Sequence, residues 1–200
     1  MTRDSAKHKV RIIGGRWKRT PLPVPDLQGL RPTPDRVRET LFNWLGHDLS
    51  GRVCLDLFAG TGALGLEAAS RGADSVLLVE SDRLAARSIS QVIEKLGAQQ
   101  VRLQIGDALV ILGRLRAAGD RFDLVFLDPP FGRKLLARVL PMLPAILSPG
   151  ARIYVESESP LHTADIDTLL GPGWQLLRAE QAGQVFYHLL GEAQPEKGEP

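Results

Sequence analysis

The sequence predicts an α/β fold with seven strands in a mostly parallel sheet, helices on both faces and a last strand that runs antiparallel. Two observations lead to this prediction. From residue 52 onward, short apolar runs alternate with amphipathic stretches, a rhythm typical of right-handed βαβ units. The final two apolar runs are instead joined by a short turn, as in an antiparallel hairpin.

The elements of the sheet follow one another along the chain. Strands are predicted in RVCLDLFAG, SVLLVES, VRLQIGD, FDLVFLDPP, ARIYVESE, WQLLRAEQ and QVFYHLL. Helices are predicted between them in ALGLEAASRG, DRLAARSISQVIEKLG, ALVILGRLRAAG and, interrupted by prolines, LLARVLPMLPAIL. Strands that are covered on both faces read as near-continuous apolar runs, which agrees with a parallel sheet.

A further helix is predicted ahead of the sheet, in LRPTPDRVRETLFNWL. Thr33 is its expected N-cap and Pro34 its first residue, because hydroxyl side chains cap helices and proline suits the first turn. The face expected to pack on the sheet carries Val37, Leu41, Trp44 and Leu45.

Charge and composition divide the 200 residues into three parts. Residues 1–30 are a basic amino-terminal arm, 31–190 the folded domain, and 191–200 a polar tail that is expected to be disordered. Residues 1–38 hold ten Lys/Arg against three Asp/Glu, a net +7, and the remainder carries −5. A basic arm on a slightly acidic body favours a polyanionic partner.

The composition also excludes several classes of protein. With 44% apolar residues the chain can bury a core without disulfides, and its single cysteine, Cys54, is expected to be a buried thiol. The four histidines lack ligand spacing, so no metal site is expected. No stretch approaches the roughly 18 apolar residues of a membrane span, and no signal-peptide core is present. We therefore expect a cytoplasmic protein with no membrane partner.

A glycine-rich loop follows the first strand of the sheet. DLFAGTGALG places Gly60, Gly62 and Gly65 in the pattern G-x-G-x-x-G between a strand and a helix, where backbone N–H groups can approach a ligand. Glu80 ends the second strand, 18 residues after Gly62, where a carboxylate can accept hydrogen bonds from two ribose hydroxyls. A nucleoside-containing cofactor is therefore expected.

Two cofactors fit this loop, a dinucleotide such as NAD and S-adenosylmethionine. Asp56, four residues before the first glycine, favours the second, because it can bind an ammonium group directly or through water but would repel a pyrophosphate. Asp107, at the end of the third strand, is placed to meet the adenine amine. Each acid also has a purely structural explanation, but all three lie at strand carboxyl ends, where open α/β sheets bind ligands.

The fourth strand ends in Asp128-Pro129-Pro130-Phe131. The Asp128 carboxylate and the Pro129 carbonyl can accept the two N–H groups of a nucleobase amine, so that the lone pair of the nitrogen points at a methyl donor. Phe131 offers the base a stacking surface worth about 1–3 kcal/mol. Catalysis then rests on positioning and electrostatics, without a metal, and a base in a duplex must first be flipped out. For an isolated D-P-P, a rigid turn is the simpler explanation.

These motifs give the chain a family resemblance. DLFAGTGALG resembles the first motif of class I S-adenosylmethionine-dependent methyltransferases, and DPPF resembles the motif of their amino-methylating branch. With RIIGGRWKRTPLPVP, LRPTPDRVRETLFNWL, IYVESE and GQVFYHLL, the match from Arg11 to Leu190 resembles the RsmD family, bacterial enzymes that methylate guanine N2 in small-subunit (16S) ribosomal RNA. The resemblance implies a Rossmann-like class I methyltransferase domain at residues 31–190 with a basic N-terminal extension.

The resemblance also implies roles for particular residues. Those expected to hold S-adenosylmethionine are Asp56, Phe58, Gly60, Gly62, Glu80 and Asp107. The target guanine is expected to be held by Asp128, Pro129 and Phe131. Contacts to the RNA are expected from Arg16, Trp17, Lys18, Arg19, Arg31, Thr33, Arg36, Arg38, Arg133 and Lys134. The RNA is expected within a 30S subunit or an assembly intermediate, and the enzyme is expected to be a monomer.

Three other functions remain open on the sequence alone. A site of this kind also fits other amino acceptors, namely adenine N6 in RNA or DNA, or a protein glutamine amide. The glycine loop permits an NAD-dependent oxidoreductase, although DPPF would then be unexplained. A non-catalytic RNA-binding protein fits the basic arm equally well, although intact Asp128 and Phe131 argue against it.

Overall fold

The computed structural model describes residues 10–27, 33–130, 132 and 134–193. The chain forms two compact units, the first ending at Ala108 and the second beginning at Leu109. The single cysteine, Cys54, is buried and free, as expected. No helix in the described part of the chain is both long enough and apolar enough to cross a membrane.

The first unit contains five strands and three complete helices. In chain order they are β1 (Val10–Arg11), β2 (Pro21–Leu22), α1 (Asp35–Leu45), β3 (Val53–Asp56), α2 (Ala63–Ser70), β4 (Ser75–Glu80), α3 (Arg83–Leu96) and β5 (Val101–Ile105). β1 and β2 form an antiparallel hairpin. β3, β4 and β5 pair in parallel, with β4 in the middle. Their carboxyl ends therefore meet at one edge of the sheet.

The second unit contains the reversed strand. After α4 (Ala108–Ala118) come β6 (Phe122–Leu127), α5 (Leu135–Val139), a 3₁₀-helix (Leu140–Ile146), β7 (Leu147–Ser157), α6 (Thr163–Leu170), β8 (Trp174–Ala182) and β9 (Val185–Glu192). β6 and β7 are parallel, whereas β9 pairs antiparallel with both β7 and β8. The prolines shorten α5, because a proline nitrogen cannot donate to a helical carbonyl.

The predicted fold class is confirmed. Strands β3 to β9 belong to one seven-stranded mixed sheet, and the last strand, β9, runs antiparallel to its neighbours. The alternation of strands and helices from residue 52 to β7 is the one that the apolar runs predict, whereas α6, between β7 and β8, was not predicted. Buried apolar side chains line the central strands, Leu55, Leu78 and Val125 among them.

The helix ahead of the sheet differs from its prediction in two ways. It begins at Asp35, with Pro34 rather than Thr33 at the N-cap position. Its buried residues are Val37, Arg38, Leu41 and Phe42, so Trp44 and Leu45 lie at the margin of the packed face. The face is rotated because the arginine at position 38 finds acidic partners inside the unit, which apolar periodicity cannot reveal.

The predicted carboxyl-terminal tail begins too early. Gly191 and Glu192 belong to β9, where they pair with β7 and β8. The expectation of a tail from residue 191 is therefore wrong for these two residues, since a single polar residue at a strand end does not stop the backbone ladder. Residues 194–200 lie outside the described part of the chain.

Two glycines in helices predict opposite responses to alanine. A Cβ on Gly65 of α2 would collide with the Leu78 side chain and lie 3.2 Å from side-chain atoms of Asp56 and Val76. We expect Gly65→Ala to lower the free energy of unfolding by about 1–3 kcal/mol through overpacking. Gly113 of α4 has open space around its Cβ position, so Gly113→Ala is expected to raise that free energy by about 0.5–1 kcal/mol. Urea denaturation of both variants checks the pair, and equal effects would contradict the packing described for α2.

Candidate active site

The glycine loop connects β3 to α2 within the first unit. Gly60 and Gly62 have φ angles of 56° and 77°, in the left-handed region that glycine adopts without strain. Gly62 is the N-cap of α2, and its N–H donates to the Ala59 carbonyl at 2.6 Å. The helix is thus entered through a tight turn, as the motif predicts, and the contact of this turn with a cofactor stays a prediction.

Glu80 already takes part in the shape of this loop. One carboxylate oxygen accepts from the Gly60 N–H at 2.7 Å, and the other accepts from the Asp82 N–H at 2.7 Å. Asp82 in turn caps α3 by accepting from the Leu84 and Ala85 N–H groups. Glu80 is partly exposed at the end of β4, and its side chain ties the glycine loop to the next strand. Its contact with a ribose remains a prediction.

Asp56 is placed differently from what the sequence suggests. Its side chain is only 1% exposed, and one carboxylate oxygen accepts from the Gly65 N–H at 3.0 Å. The carboxylate therefore stabilises the first turn of α2, where negative charge is favourable. Phe58, two residues later, is partly exposed. Contacts of Asp56 and Phe58 with the cofactor stay predictions.

Asp107 completes the acidic edge of the first unit. It follows β5 and is exposed. Glu80 pairs with Ile105 in the parallel ladder, and the Gly106 N–H donates to the Glu80 carbonyl at 2.9 Å. The ends of β4 and β5 are thus joined just before Asp107. The structure brings the loop glycines, Glu80 and Asp107 together at one edge, with chemistry that suits a nucleoside.

The Asp-Pro-Pro turn lies in the second unit, directly after β6. Asp128 is partly exposed and Pro129 is buried, so the turn is anchored in the core at its first proline. Beyond it, the Gly132 N–H donates to a Glu158 carboxylate oxygen at 3.0 Å. Phe131, the expected stacking ring, lies outside the described residues.

A buried polar pair next to this turn was not predicted from the sequence. The Tyr154 hydroxyl donates to a Glu156 carboxylate oxygen at 2.9 Å, and the Tyr154 ring meets Phe126 edge-on. Burial, followed by the negative charges of Glu156 and Asp128, holds the pKa of Tyr154 well above its usual value. The tyrosine therefore stays protonated as a donor. Tyrosine and glutamate at alternate positions of an otherwise apolar strand, in IYVESE, were the available signal.

The described part of the basic arm, residues 10–27, contains the β1–β2 hairpin and several buried side chains. Val10, Ile12, Trp17 and Leu22 are buried. The expectation that Trp17 stacks on an RNA base is wrong for this structure, because its ring is only 8% exposed. Its place inside is fixed by the hairpin turn, whereas Arg16, Lys18 and Arg19 are exposed.

The predicted RNA contacts around α1 also include both exposed and buried residues. Arg36 is exposed. Arg38 has no exposed surface and forms ion pairs with Asp35 at 2.6 Å and with Glu67 at 3.7 Å. Thr33 is also buried, so the predicted RNA contacts of Arg38 and Thr33 are wrong, and both residues belong to the packing of the first unit instead.

The remaining predicted RNA contacts fall at the borders of the described residues. Lys134 is exposed, with a φ of 48°, at the start of α5. Arg31 and Arg133 lie outside the described residues. In the ranges that the structure describes, no three His, Cys, Asp or Glu side chains gather as a metal ion requires.

Comparison with known proteins extends the resemblance across the chain. The family model described as Conserved hypothetical protein 95 matches residues 10–191. Ribosomal RNA small subunit methyltransferase D of Escherichia coli strain K12 is 44% identical over 195 residues, which cover 96% of this chain and 95% of that protein. The protein of the same name from Haemophilus influenzae is 40% identical over 189 residues, 92% of this chain and 95% of that one. The solved structure of yhhF from Escherichia coli is 40% identical, with a TM-score of 0.79, and covers 92% of this chain and 98% of that chain.

The sequence motifs and the similarity over nearly the whole chain agree with each other. These relatives are named as methyltransferases, which decides between the two cofactors that the glycine loop left open and against an oxidoreductase. The chain belongs to the RsmD family of methyltransferases, whose model is the one described as Conserved hypothetical protein 95.

Proposed function

We propose that this chain transfers the methyl group of S-adenosylmethionine to the exocyclic N2 amine of a guanine in small-subunit (16S) ribosomal RNA. The observation that carries the proposal is the Asp128-Pro129 turn at the end of β6, in a chain whose relatives are named for methylation of small-subunit ribosomal RNA. The first unit supplies residues for the cofactor, and the second supplies residues for the acceptor amine.

The cofactor residues suit S-adenosylmethionine, which supplies an electrophilic methyl group on a positively charged sulfur. Glu80 can accept from the ribose hydroxyls while its bond to the Gly60 N–H keeps the loop in shape. Asp107 is exposed at the end of the adjacent strand, where it can accept from the adenine amine. Because Asp56 is buried, we propose that it serves the cofactor by holding α2 in place and by reaching the ammonium group through water.

The acceptor residues overcome the poor nucleophilicity of a base amine. The nitrogen lone pair is delocalised into the ring, and it becomes available when both N–H groups are held by acceptors and the nitrogen is aimed at the methyl carbon. The Asp128 carboxylate and the Pro129 carbonyl serve as these acceptors. A C–N bond forms as the C–S bond breaks, and the surplus proton on nitrogen leaves through Asp128 to solvent. Burial of Pro129 keeps the geometry rigid.

The setting of the reaction follows from the partner. We propose that the RNA is presented within a 30S subunit or an assembly intermediate, and that the protein acts in the cytoplasm as a monomer. The attack of an amine on a sulfonium carbon needs no metal ion. The exposed cations Arg16, Lys18 and Arg36 support the proposal of RNA as the partner, because they offer contacts to phosphates.

The proposed reaction is tested by the nucleoside that it produces. Labelled methyl is supplied as S-adenosylmethionine to small-subunit RNA that lacks its modifications, both naked and in partly assembled particles. We expect the label in N2-methylguanine. Label in N6-methyladenine would retain the chemistry and replace the substrate, whereas binding of the cofactor without transfer would favour a non-catalytic RNA-binding protein.

Asp128→Ala separates catalysis from cofactor binding. We expect turnover to fall about 10²-fold or more, the scale on which one preorganised polar contact contributes to a transition state. The affinity for S-adenosylmethionine, measured by calorimetry, is expected to stay nearly unchanged. Asp167→Ala, on the exposed surface of α6, is the matched control. A loss of cofactor affinity as large as the loss of turnover would contradict the acceptor role of Asp128.

Glu80→Ala is expected to weaken the binding of S-adenosylmethionine about 10- to 100-fold. The reason is that it removes a charged acceptor worth about 1.5–3 kcal/mol, together with the bond that shapes the loop at Gly60. Calorimetric titration measures the effect, with Glu94→Ala on the exposed face of α3 as control. Equal affinities of the two variants would remove Glu80 from the cofactor site.

A further inference from the structure

Ser70, the last residue of α2, binds the basic arm through three hydrogen bonds. Its hydroxyl oxygen accepts from the Trp17 N–H at 2.9 Å and donates to the Gly14 carbonyl at 2.6 Å. Its backbone carbonyl accepts from the Arg16 N–H at 2.7 Å. Three hydrogen bonds from a single buried residue therefore determine the path of the arm from Gly14 to Trp17.

Glu67, one helical turn earlier, binds the same arm from the interior. Its carboxylate has no exposed surface and accepts from the Ile13 N–H at 2.7 Å. The same carboxylate is paired with Arg71 at 2.8 Å and with Arg38 at 3.7 Å. Arg38 forms an ion pair with Asp35, which in turn forms an ion pair with the exposed Arg11 in β1.

Gly14 and Gly15 make this close approach possible. Gly15 has a φ of 69°, and a Cβ there would collide with the Ser70 carbonyl. A Cβ on Gly14 would meet the Arg71 guanidinium, which cannot swing away freely because it is paired with Glu67 and stacked 4.7 Å from the Phe42 ring centroid. The two glycines are therefore the docking surface of the arm rather than a flexible joint.

The docked arm directs three cations outward. With Ile12 and Trp17 buried, the side chains of Arg16, Lys18 and Arg19 are exposed along one short turn. We call these three residues the cationic ridge. Its shape exists before any ligand binds, because the hydrogen bonds to Ser70 and Glu67 hold the backbone beneath it.

Arg19 occupies a conformation that favours glycine. Its φ is 73°, and among the residues that the structure describes only Lys134 is another non-glycine residue with positive φ. Both are exposed lysine or arginine residues. A side chain kept in a strained conformation costs stability, and such strain persists at functional sites. The positive φ of Arg19 therefore points to a role of its side chain outside the fold.

We propose that Ser70 and Glu67 are positioning residues that hold the cationic ridge in place, and that the ridge, with Arg19 at its end, binds RNA phosphates. The α2 helix then supports the glycine loop at its first residue and the RNA-binding ridge at its last. The identity of RNA as the ligand rests on the proposed function, whereas the docking of the ridge rests on the contacts above.

Arg19→Gly tests the ridge because stability and binding should change in opposite directions. Glycine relieves the positive φ, so the thermal unfolding midpoint is expected to stay or rise. Loss of one phosphate contact is expected to reduce the slope of log affinity against log salt by about 1 and to weaken binding. The probe is unmodified small-subunit RNA in a fluorescence anisotropy titration over several salt concentrations. Arg114→Ala, on the exposed side of α4, is the control for loss of a surface charge.

Ser70→Ala tests the positioning role with little change in volume. We expect a several-fold higher KM for RNA, a nearly unchanged kcat and unchanged affinity for S-adenosylmethionine. Ser90→Ala, on the exposed face of α3, is the matched control. A purely structural role of Ser70 would lower the unfolding midpoint and leave the KM for RNA and the salt slope as in the wild type, and this result would overturn the proposal.

The outcomes separate this proposal from the proposed function. Wild-type protein that methylates guanine while Arg19→Gly keeps the wild-type salt slope would overturn the ridge alone. Wild-type protein that binds the RNA but yields no methylguanine, with the slope reduced in Arg19→Gly, would overturn the proposed reaction and support the ridge. Failure of the wild type to bind this RNA both naked and in partly assembled particles would overturn both.

Discussion

The buried carboxylate of Glu67 is the interaction on which the arrangement of the first unit depends. It accepts a hydrogen bond from a backbone N–H of the arm, and it forms ion pairs with Arg71 on its own helix and with Arg38 on α1. Removing one partner from a buried ion pair costs about 3–5 kcal/mol, because the remaining charge has no water to stabilise it. The hairpin, α1 and α2 therefore assemble together, and each is positioned by the same charge.

The short α2 helix is held by contacts at both of its ends. The α2 helix has eight residues, a length of about 12 Å at 1.5 Å per residue. Its first turn is held by Asp56 through the Gly65 N–H, and its last by the bonds between Ser70 and the arm. All eight residues of this helix are buried, so tertiary packing holds the glycine loop and the cationic ridge at a fixed separation. The Asp-Pro-Pro turn in the second unit, by contrast, directly follows β6, and the buried Tyr154–Glu156 hydrogen bond lies on the neighbouring strand β7.

The sequence predicts those features that depend on neighbours in the chain. The succession of strands and helices as far as β7, the tight turn of the glycine loop and the acids at strand ends all follow from local periodicity and motif context. The errors concern contacts across long separations. Arg38 and Trp17 look like surface residues suited to RNA, yet each finds its partner on α2, 29 and 53 positions further along. No local pattern distinguishes an arginine that is exposed to solvent from one that pairs with a buried carboxylate. Glu67, an acidic residue within an apolar helix, was the sequence feature that indicated such a pair.

The docking of the arm on α2 also sets an order of events during synthesis. The arm leaves the ribosome before α2 does. Glu67 is synthesised 54 residues after its partner Ile13, and Ser70 53 residues after its partner Trp17. At about 5–20 residues per second, this interval lasts roughly 3–10 s. During this interval the cationic residues of the arm are already synthesised, but the α2 residues that bind the backbone of the arm are not. A nascent chain of this protein therefore completes the fold of its arm only after α2 has emerged.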